Sequence, residues 1–351
     1  MQPFVHDVAA SRTVFGAGAA SSLPAEAERL GIGRAVILCS RGRRDVAESL
    51  AAGFNQGVAA ICDAAEPGMP QHAVDRVIGE LRDGEGAGLI ALGGGSPIGI
   101  GKTVAALSKC RFIAVVTTYS GSERADNWYI GSGPDRKGGR SPDAVPATVI
   151  YDPELTLDLP PKMSAASAMN AMAHAAESLY GPDTNPVVQT LSEEAVRMLY
   201  GSMPAIMADP TDVGARGRAL YGAWLAAEFR ATAGLSHALA QQVRTRFELP
   251  HAQCHAIMLP YALAFNREAA PEAMERLRRA LGADDPAAAL YTFNRRWGLP
   301  TGLGALGLTE SDIEAATDAV AGAKFANPRP AGRDDIRKLI AAALEGAPPR
   351  I

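Results

Sequence analysis

The stretch that most constrains this chain is Ala91-Leu92-Gly93-Gly94-Gly95-Ser96-Pro97-Ile98-Gly99-Ile100-Gly101-Lys102. An apolar run, Leu89 to Leu92, leads into the glycines and reads as a strand buried in a parallel sheet. Thr103 to Leu107, which follow them, read as a helix. A glycine turn between a strand end and a helix start lets the backbone come close to an anion, and the unpaired N–H groups of the first helical turn face it. The P-loop pattern is excluded because position 96, where its first glycine would stand, is serine. The pattern G-x-G-x-x-G is excluded because Ile98 stands where its third glycine belongs. The run therefore points to a phosphate or pyrophosphate without naming the fold. The plainer alternative is a tight strand-to-helix turn with no ligand.

Strands and helices alternate on both sides of this anchor. Arg12 to Phe15, Ala35 to Leu38, Gly57 to Cys62, Phe112 to Val116 and Thr148 to Tyr151 read as strands. Pro24 to Leu30, Asp45 to Ala52 and Pro70 to Arg82 read as helices between them. Such alternation predicts a mostly parallel sheet covered on both faces, with ligands at the carboxyl ends of its strands. Cys39-Ser40, the glycine run and Thr117-Thr118 all fall at such ends. The polar stretch from Ala125 to Pro146 reads as an excursion or hairpin. From Lys162 onward the pattern becomes alanine-rich and helical. It predicts helices over Ala165–Tyr180, Pro186–Met207, Val213–Thr232, Ser236–Phe247, Cys254–Asn266, Pro271–Leu281, Pro286–Trp297, Ser311–Ala321 and Asp334–Leu344. The domain boundary is placed near Asp152.

A chain of 351 residues suggests two domains, and 47% hydrophobic against 21% charged residues is enough for a substantial core. A net charge of -4 with no basic run argues against a nucleic-acid surface. No stretch is apolar for the roughly 18 residues that a membrane span needs. The start lacks the charged and apolar regions of a secretory leader, so a cytoplasmic protein is expected. Cys39, Cys62, Cys110 and Cys254 are scattered and are expected as reduced, packed thiols.

Four of the 6 histidines lie in the helical half, between His174 and His255. Asn170 and His174 are spaced to share one helix face, as are His237 and Gln241, and His251 and His255. Three helices each turning a polar residue inward would build one polar site inside an apolar domain, where polar groups are costly unless paired. Three imidazoles and one carboxylate would suit a divalent transition metal. The helix of His174 offers Asn170 in place of that carboxylate, so no bound metal is expected.

Several motifs together resemble the iron-type (group III) alcohol dehydrogenase superfamily. They are the glycine run to Lys102, Thr117-Thr118-Tyr119-x-Gly121-Ser122-Glu123 and Val149-Ile150-Tyr151-Asp152-Pro153. Met169-Asn170-Ala171-Met172-Ala173-His174-Ala175-x-Glu177, Leu235-Ser236-His237-Ala238-Leu239, Leu249-Pro250-His251-Ala252-x-x-His255-Ala256 and Asn327-Pro328-Arg329-Pro330 resemble, within it, the maleylacetate reductases. So does Tyr221-Gly222-Ala223-Trp224-Leu225. The resemblance implies an α/β, Rossmann-like N-terminal domain over residues 1–152. An all-α C-terminal domain over residues 153–351 would follow, in the dehydroquinate synthase-like arrangement, often as a homodimer. It implies hydride transfer from NADH or NADPH to the carbon–carbon double bond of 2-maleylacetate, giving 3-oxoadipate. In metal-using relatives an Asp and three His hold iron or zinc. Those positions are Asn170, His174, His237 and His251 here, and maleylacetate reductases also lack the Asp and are regarded as metal-independent.

By the same resemblance, Gly93, Gly94, Gly95 and Ser96 would hold the pyrophosphate, with Lys102, Thr117, Thr118, Ser120 and Ser122 near the dinucleotide. Ser40 stands where an acidic residue would bind the ribose 2′-hydroxyl, which leaves NADPH as open as NADH. His174, His237 and His251 would orient a small anionic substrate and stabilise the oxyanion as preorganised donors, with Asn170 the further catalytic residue on the helix of His174. Arg124, Lys137 and Arg244 would contact its carboxylates. Two departures bear on the substrate. Relatives usually carry a histidine where Gln241 stands, in a segment close to Cys-His-Val-Leu-Gly-Gly, and here it reads Ala240-Gln241-Gln242-Val243-Arg244-Thr245. Glutamine has no proton to give at neutral pH, and His255 is the expected replacement donor. Relatives also tend to have Met-Thr-Pro after Glu123, where this chain has Arg124-Ala125-Asp126-Asn127-Trp128. A metal-dependent alcohol dehydrogenase and a non-redox paralogue are the alternatives.

Overall fold

The computed structural model describes residues 3–55, 57–81, 86–131, 136–229 and 232–349. The ends of two predicted helices, at Arg82 and within Val213–Thr232, touch residues outside that set. By their contacts the described chain divides into two units, Val8–Leu159 with Thr211–Leu220, and Pro160–Pro210 with Tyr221–Ile351 and Met1–Asp7.

The first unit is built on a parallel sheet. Its strands are β1 (Arg12–Phe15), β2 (Arg34–Leu38), β3 (Ala60–Cys62), β4 (Ala87–Gly93), β5 (Arg111–Val116) and, after a separate ribbon of β6 (Asn127–Ile130) and β7 (Lys137–Arg140), β8 (Thr148–Tyr151). The order across the sheet is β1-β8-β5-β4-β2-β3, with every pair parallel. Helices α1 (Leu23–Arg29), α2 (Arg44–Ala51), α3 (Gln71–Leu81) and α4 (Gly95–Ser108) cover its faces. This is why β4 reads as a continuous apolar run: Leu89 to Leu92 are all fully buried, with no face left for water. Ile90 and Leu92 pack with Ile37, Ile113, Val115 and Ile150 on one side. On the other, Gly101 brings α4 so close that a Cβ there would meet Ala91 Cβ at 2.9 Å.

The helical unit contains α5 (Pro161–Ser178), α6 (Pro186–Ala208), α8 (Leu235–Phe247), α9 (His251–Asn266), α10 (Pro271–Leu281), α11 (Pro286–Arg296), α12 (Ile313–Ala321) and α13 (Arg333–Glu345). Helix α7 (Val213–Ala227) begins in the first unit and ends in this one. Proline starts four of these helices, α5, α6, α10 and α11, where it is preorganised for the first turn, and Asn185 and Asp285 cap α6 and α11 with their side-chain oxygens. Helix α9 is buried without interruption from Cys254 to Asn266, because α5, α8, α11 and α13 all pack on it. Pro260 inside α9 has no N–H for the carbonyl of Ala256, and Asn294 Nδ2 on α11 donates to that carbonyl at 2.6 Å instead.

The division between units differs from the boundary near Asp152. It falls after Leu159, and Thr211–Leu220 returns to the first unit. The physical reason is Arg216, fully buried on α7. Its guanidinium donates to Tyr119 Oη at 3.2 Å and to the carbonyl of Leu159 at 2.9 Å.

Candidate active site

In the α/β unit, the carboxyl ends of β5, β4 and β2 lie side by side and carry Thr117-Thr118, Gly93-Gly94 and Ser40. The chain leaves β4 toward β5 and leaves β2 toward β3, in opposite directions, so the ends of β4 and β2 flank the crevice where such sheets bind ligands. The glycine turn is shorter than its sequence suggests. Gly93 ends β4, Gly94 alone separates it from the helix, and Gly95 and Ser96 already form the first turn of α4. Gly93 has φ near +143°, a region closed to other residues. A Cβ on Gly94 would meet Thr118 Cγ2 at 2.5 Å, whereas one on Gly95 would meet nothing within 4 Å. No side chain caps α4, and its third position is Pro97, which has no N–H. The N–H groups of Gly95 and Ser96 are thus directed out of the helix start beside open space, and the buried hydroxyl of Thr118 has no hydrogen-bond partner. These features fit the phosphates of a dinucleotide, held by backbone donors and the helix dipole.

Two residues expected near the ligand are engaged elsewhere. Lys102 lies two turns into α4, about 10 Å along the axis from its start. Its ammonium donates to the Ser122 carbonyl at 3.1 Å and to Asn127 Oδ1 at 2.9 Å, and burial pushes its pKa down to about 8. Arg124 is buried and donates to Thr13 Oγ1 at 2.8 Å, which ties it to β1. Ser120 is half-buried and Ser122 exposed, and Lys137 is exposed at the start of β7.

In the helical unit the structure brings the four histidines together. His174 and Asn170 come from α5, His237 from α8, and His251 and His255 from the start of α9. The ring centroids of His174 and His237 lie 5.9 Å apart, those of His237 and His255 4.7 Å, and those of His255 and His251 4.6 Å. Phe229 stacks on His174 at 5.3 Å. Asn170 is buried, and Gln241 and Arg244 are half-buried on α8.

The four rings have different chemistry. Burial, and then the neighbouring His237, lower the pKa of His174 to about 4, so at neutral pH it carries one N–H. It hydrogen-bonds the Phe229 backbone, which leaves the other nitrogen as an acceptor; this corrects its expected role as a donor to an oxyanion. His255 is fully buried, and neither ring nitrogen has a partner. Burial first, then the charges of His251, His237 and Arg244, hold its pKa well below the ordinary value. An imidazole kept neutral and enclosed does not replace Gln241 as an acid, so that expectation is also corrected. His251 is exposed at the first position of α9.

His237 is held differently. Its Nδ1 is hydrogen-bonded to the Glu177 carboxylate, which is only 3% exposed. Glu177 also accepts the backbone N–H groups of Gly234, Ser236 and His237, and so caps α8. Glu177 was visible only as part of a motif. The signal for its role is its i,i+3 spacing from His174, which puts both on the face of α5 toward α8. Phe229 had no local signal.

Asn170 supplies no charge where a metal-holding carboxylate would stand, and the ring of His255 lies edge-on to both His237 and His251.

Comparison with known proteins agrees with the fold. Residues 10–153 match the model of the iron-containing alcohol dehydrogenases, and residues 164–344 match that of the Fe-containing alcohol dehydrogenase family, C-terminal. The chain therefore belongs to the iron-containing alcohol dehydrogenase family, a class of oxidoreductases. It is 40% identical over 348 residues to a maleylacetate reductase of Pseudomonas knackmussii, covering 99% of each chain. It is 40% identical over 344 residues to maleylacetate reductase 2 of Cupriavidus pinatubonensis, covering 96% of each. The crystal structure of maleylacetate reductase from Rhizobium sp. superposes with a TM-score of 0.94 at 36% identity, covering 99% of this chain and 100% of that one. Within the family the chain lies in the maleylacetate reductase branch.

Proposed function

We propose that this enzyme is an NAD(P)H-dependent, metal-independent reductase that adds hydride to the carbon–carbon double bond of an anionic enone such as maleylacetate. The histidine group carries this reading. It offers a hydrogen-bonded imidazole, His237, for a developing negative charge, and Asn170 stands where a metal would take a carboxylate. Similarity to maleylacetate reductases along nearly the whole chain supports the substrate class.

The bound dinucleotide, when reduced, supplies the hydride. The chain's own part begins with the N–H groups of Gly95 and Ser96, which neutralise the pyrophosphate at the start of α4. Thr118 lends its unpartnered hydroxyl to the same anion. Ser40 and the exposed Arg41 come just after β2, where an acidic side chain would repel a 2′-phosphate, so these two positions admit NADPH as well as NADH. At the histidines, the electron pair displaced from the double bond collects on the conjugated carbonyl oxygen as an enolate. His237 stabilises that oxygen from Nε2, and as an imidazolium it delivers the proton that completes the reduction at carbon. His174 and Asn170 orient the substrate beside it, and the exposed His251 and half-buried Arg244 meet its carboxylates. The protein acts as a homodimer on this small substrate.

The test is NADH and NADPH oxidation by enzyme treated with chelator, against maleylacetate and a panel of anionic enones and aldehydes. Turnover of an enone that survives chelation is the expected result. Activity that vanishes on chelation and returns with iron or zinc would overturn the metal-independent reading. Light scattering of the same preparation tests the dimer.

A further inference from the structure

We propose that Glu177 is the positioning residue of this site. It keeps the proton of neutral His237 on Nδ1, so that Nε2 is the one nitrogen of that ring that exchanges a proton with substrate. The inference rests on the reading of His237 given above for its chemical consequence, and on geometry alone for the hydrogen bond.

The geometry has three parts. The carboxylate of Glu177 accepts from His237 Nδ1 while almost fully enclosed, so no water competes for that hydrogen bond. The same carboxylate is fastened from behind by the first turn of α8. Ser236 N–H donates to Oε1 at 2.5 Å, Gly234 N–H to Oε2 at 3.3 Å, and His237 N–H to Oε2 at 3.3 Å. These donors make α8's own start the clamp that sets both the carboxylate and the imidazole it carries. Finally, position 234 has no room for a side chain. A Cβ there would lie 2.5 Å from Glu177 Oε1. Glycine is what lets the carboxylate reach the helix start.

A free histidine side chain prefers its proton on Nε2, so the partner on Nδ1 decides the tautomer. In the proposed reduction the carbon β to the carbonyl takes up a hydride, which a bound reduced dinucleotide would supply. The double bond opens toward the oxygen, and the α-carbon then takes one proton from His237 Nε2. Solvent returns that proton to Nε2. With Nδ1 committed to Glu177, the ring enters and leaves each turnover in one orientation.

Glu177→Gln tests this. An NH2 at the Oε1 position would face Ser236 N–H across the shortest backbone contact, 2.5 Å, so the amide oxygen takes that position and the NH2 turns toward His237 Nδ1, at the expense of the longer contacts from the Gly234 and His237 N–H groups at 3.3 Å. That donor forces Nδ1 to be bare and moves the proton to Nε2. Nitrogen-15 NMR of histidine-labelled protein reads the tautomer without substrate. The expected result is an Nδ1–H signature for His237 in the wild type, lost in Glu177→Gln. The kcat should fall about 100-fold, with KM for the cofactor changed less than about twofold. Gly234→Ala, which displaces the carboxylate and keeps its charge, should give the same split in smaller measure and serves if Glu177→Gln does not fold. A His237 that keeps its Nδ1 proton in Glu177→Gln, or a kcat within threefold of wild type, would overturn the proposal. If the tautomer switches as expected but the wild type reduces no enone, the positioning stands and the reading of the reaction fails.

Discussion

Gly94 and Thr118 are packed so closely that a Cβ on residue 94 would lie 2.5 Å from Thr118 Cγ2, whereas a Cβ on the next residue, Gly95, would enter open space. Two adjacent glycines therefore have separable duties. Gly94→Ala should cost about 1–3 kcal/mol of stability by overpacking. Gly95→Ala should leave stability within about 0.5 kcal/mol but weaken NAD(P)H at least about tenfold, because its methyl group occupies the phosphate's place. Urea unfolding and fluorescence titration of the cofactor separate the two. Equal effects of both substitutions on both measurements would contradict the assignment.

Ser40 comes just after β2, at the position where an acidic side chain would repel a 2′-phosphate. Ser40→Asp should lower kcat/KM for NADPH at least about tenfold relative to NADH, through repulsion and a new ribose hydrogen bond. An unchanged NADPH-to-NADH ratio would place the ribose elsewhere.

Lys102 ties α4 to Ser122 and Asn127 instead of a ligand. Lys102→Met should therefore lower stability by about 1–2 kcal/mol by removing two partly buried hydrogen bonds, with cofactor affinity changed less than about twofold. A large loss of affinity in a stable variant would return Lys102 to the binding site.

His174 has a pKa of about 4 in the folded protein against 6.5 in the unfolded chain. The unfolded chain binds more protons between those values, so stability rises with pH through that window and is lost as pH falls toward 4. The loss assigned to this residue is about 3 kcal/mol. His174→Gln should lose correspondingly less stability than wild type between pH 7 and pH 4 in urea unfolding. Parallel curves for the two proteins would show that His174 is not held neutral.

Much of this was legible from local pattern. The strands before Cys39, Gly94 and Thr117 announce themselves because both faces of a parallel sheet are buried, so the runs are apolar throughout. The starts of α6, α10 and α11 are marked by Pro186, Pro271 and Pro286, whose ring suits the first helical turn. Other starts were shifted. The α4 helix begins at Gly95, inside what reads as a turn, because glycine and serine at a helix start leave no apolar period to detect. The α9 helix begins at His251, directly after Pro250 and ahead of the predicted Cys254.

The amino-acid sequence by itself determined the two-part organisation, the glycine turn at a strand end, and the set of histidines in the helical half. Each of these follows from turn chemistry or from periods of a few residues. Tertiary structure alone decided what each polar side chain does. It turned Arg124 to Thr13 and Lys102 to Asn127, left His255 enclosed without a partner, and joined Glu177 to His237 across 60 residues of chain. The physical reason is that a buried polar group must find its complement in space, and the partner is supplied by whichever helix or strand packing brings there, at no fixed distance along the chain.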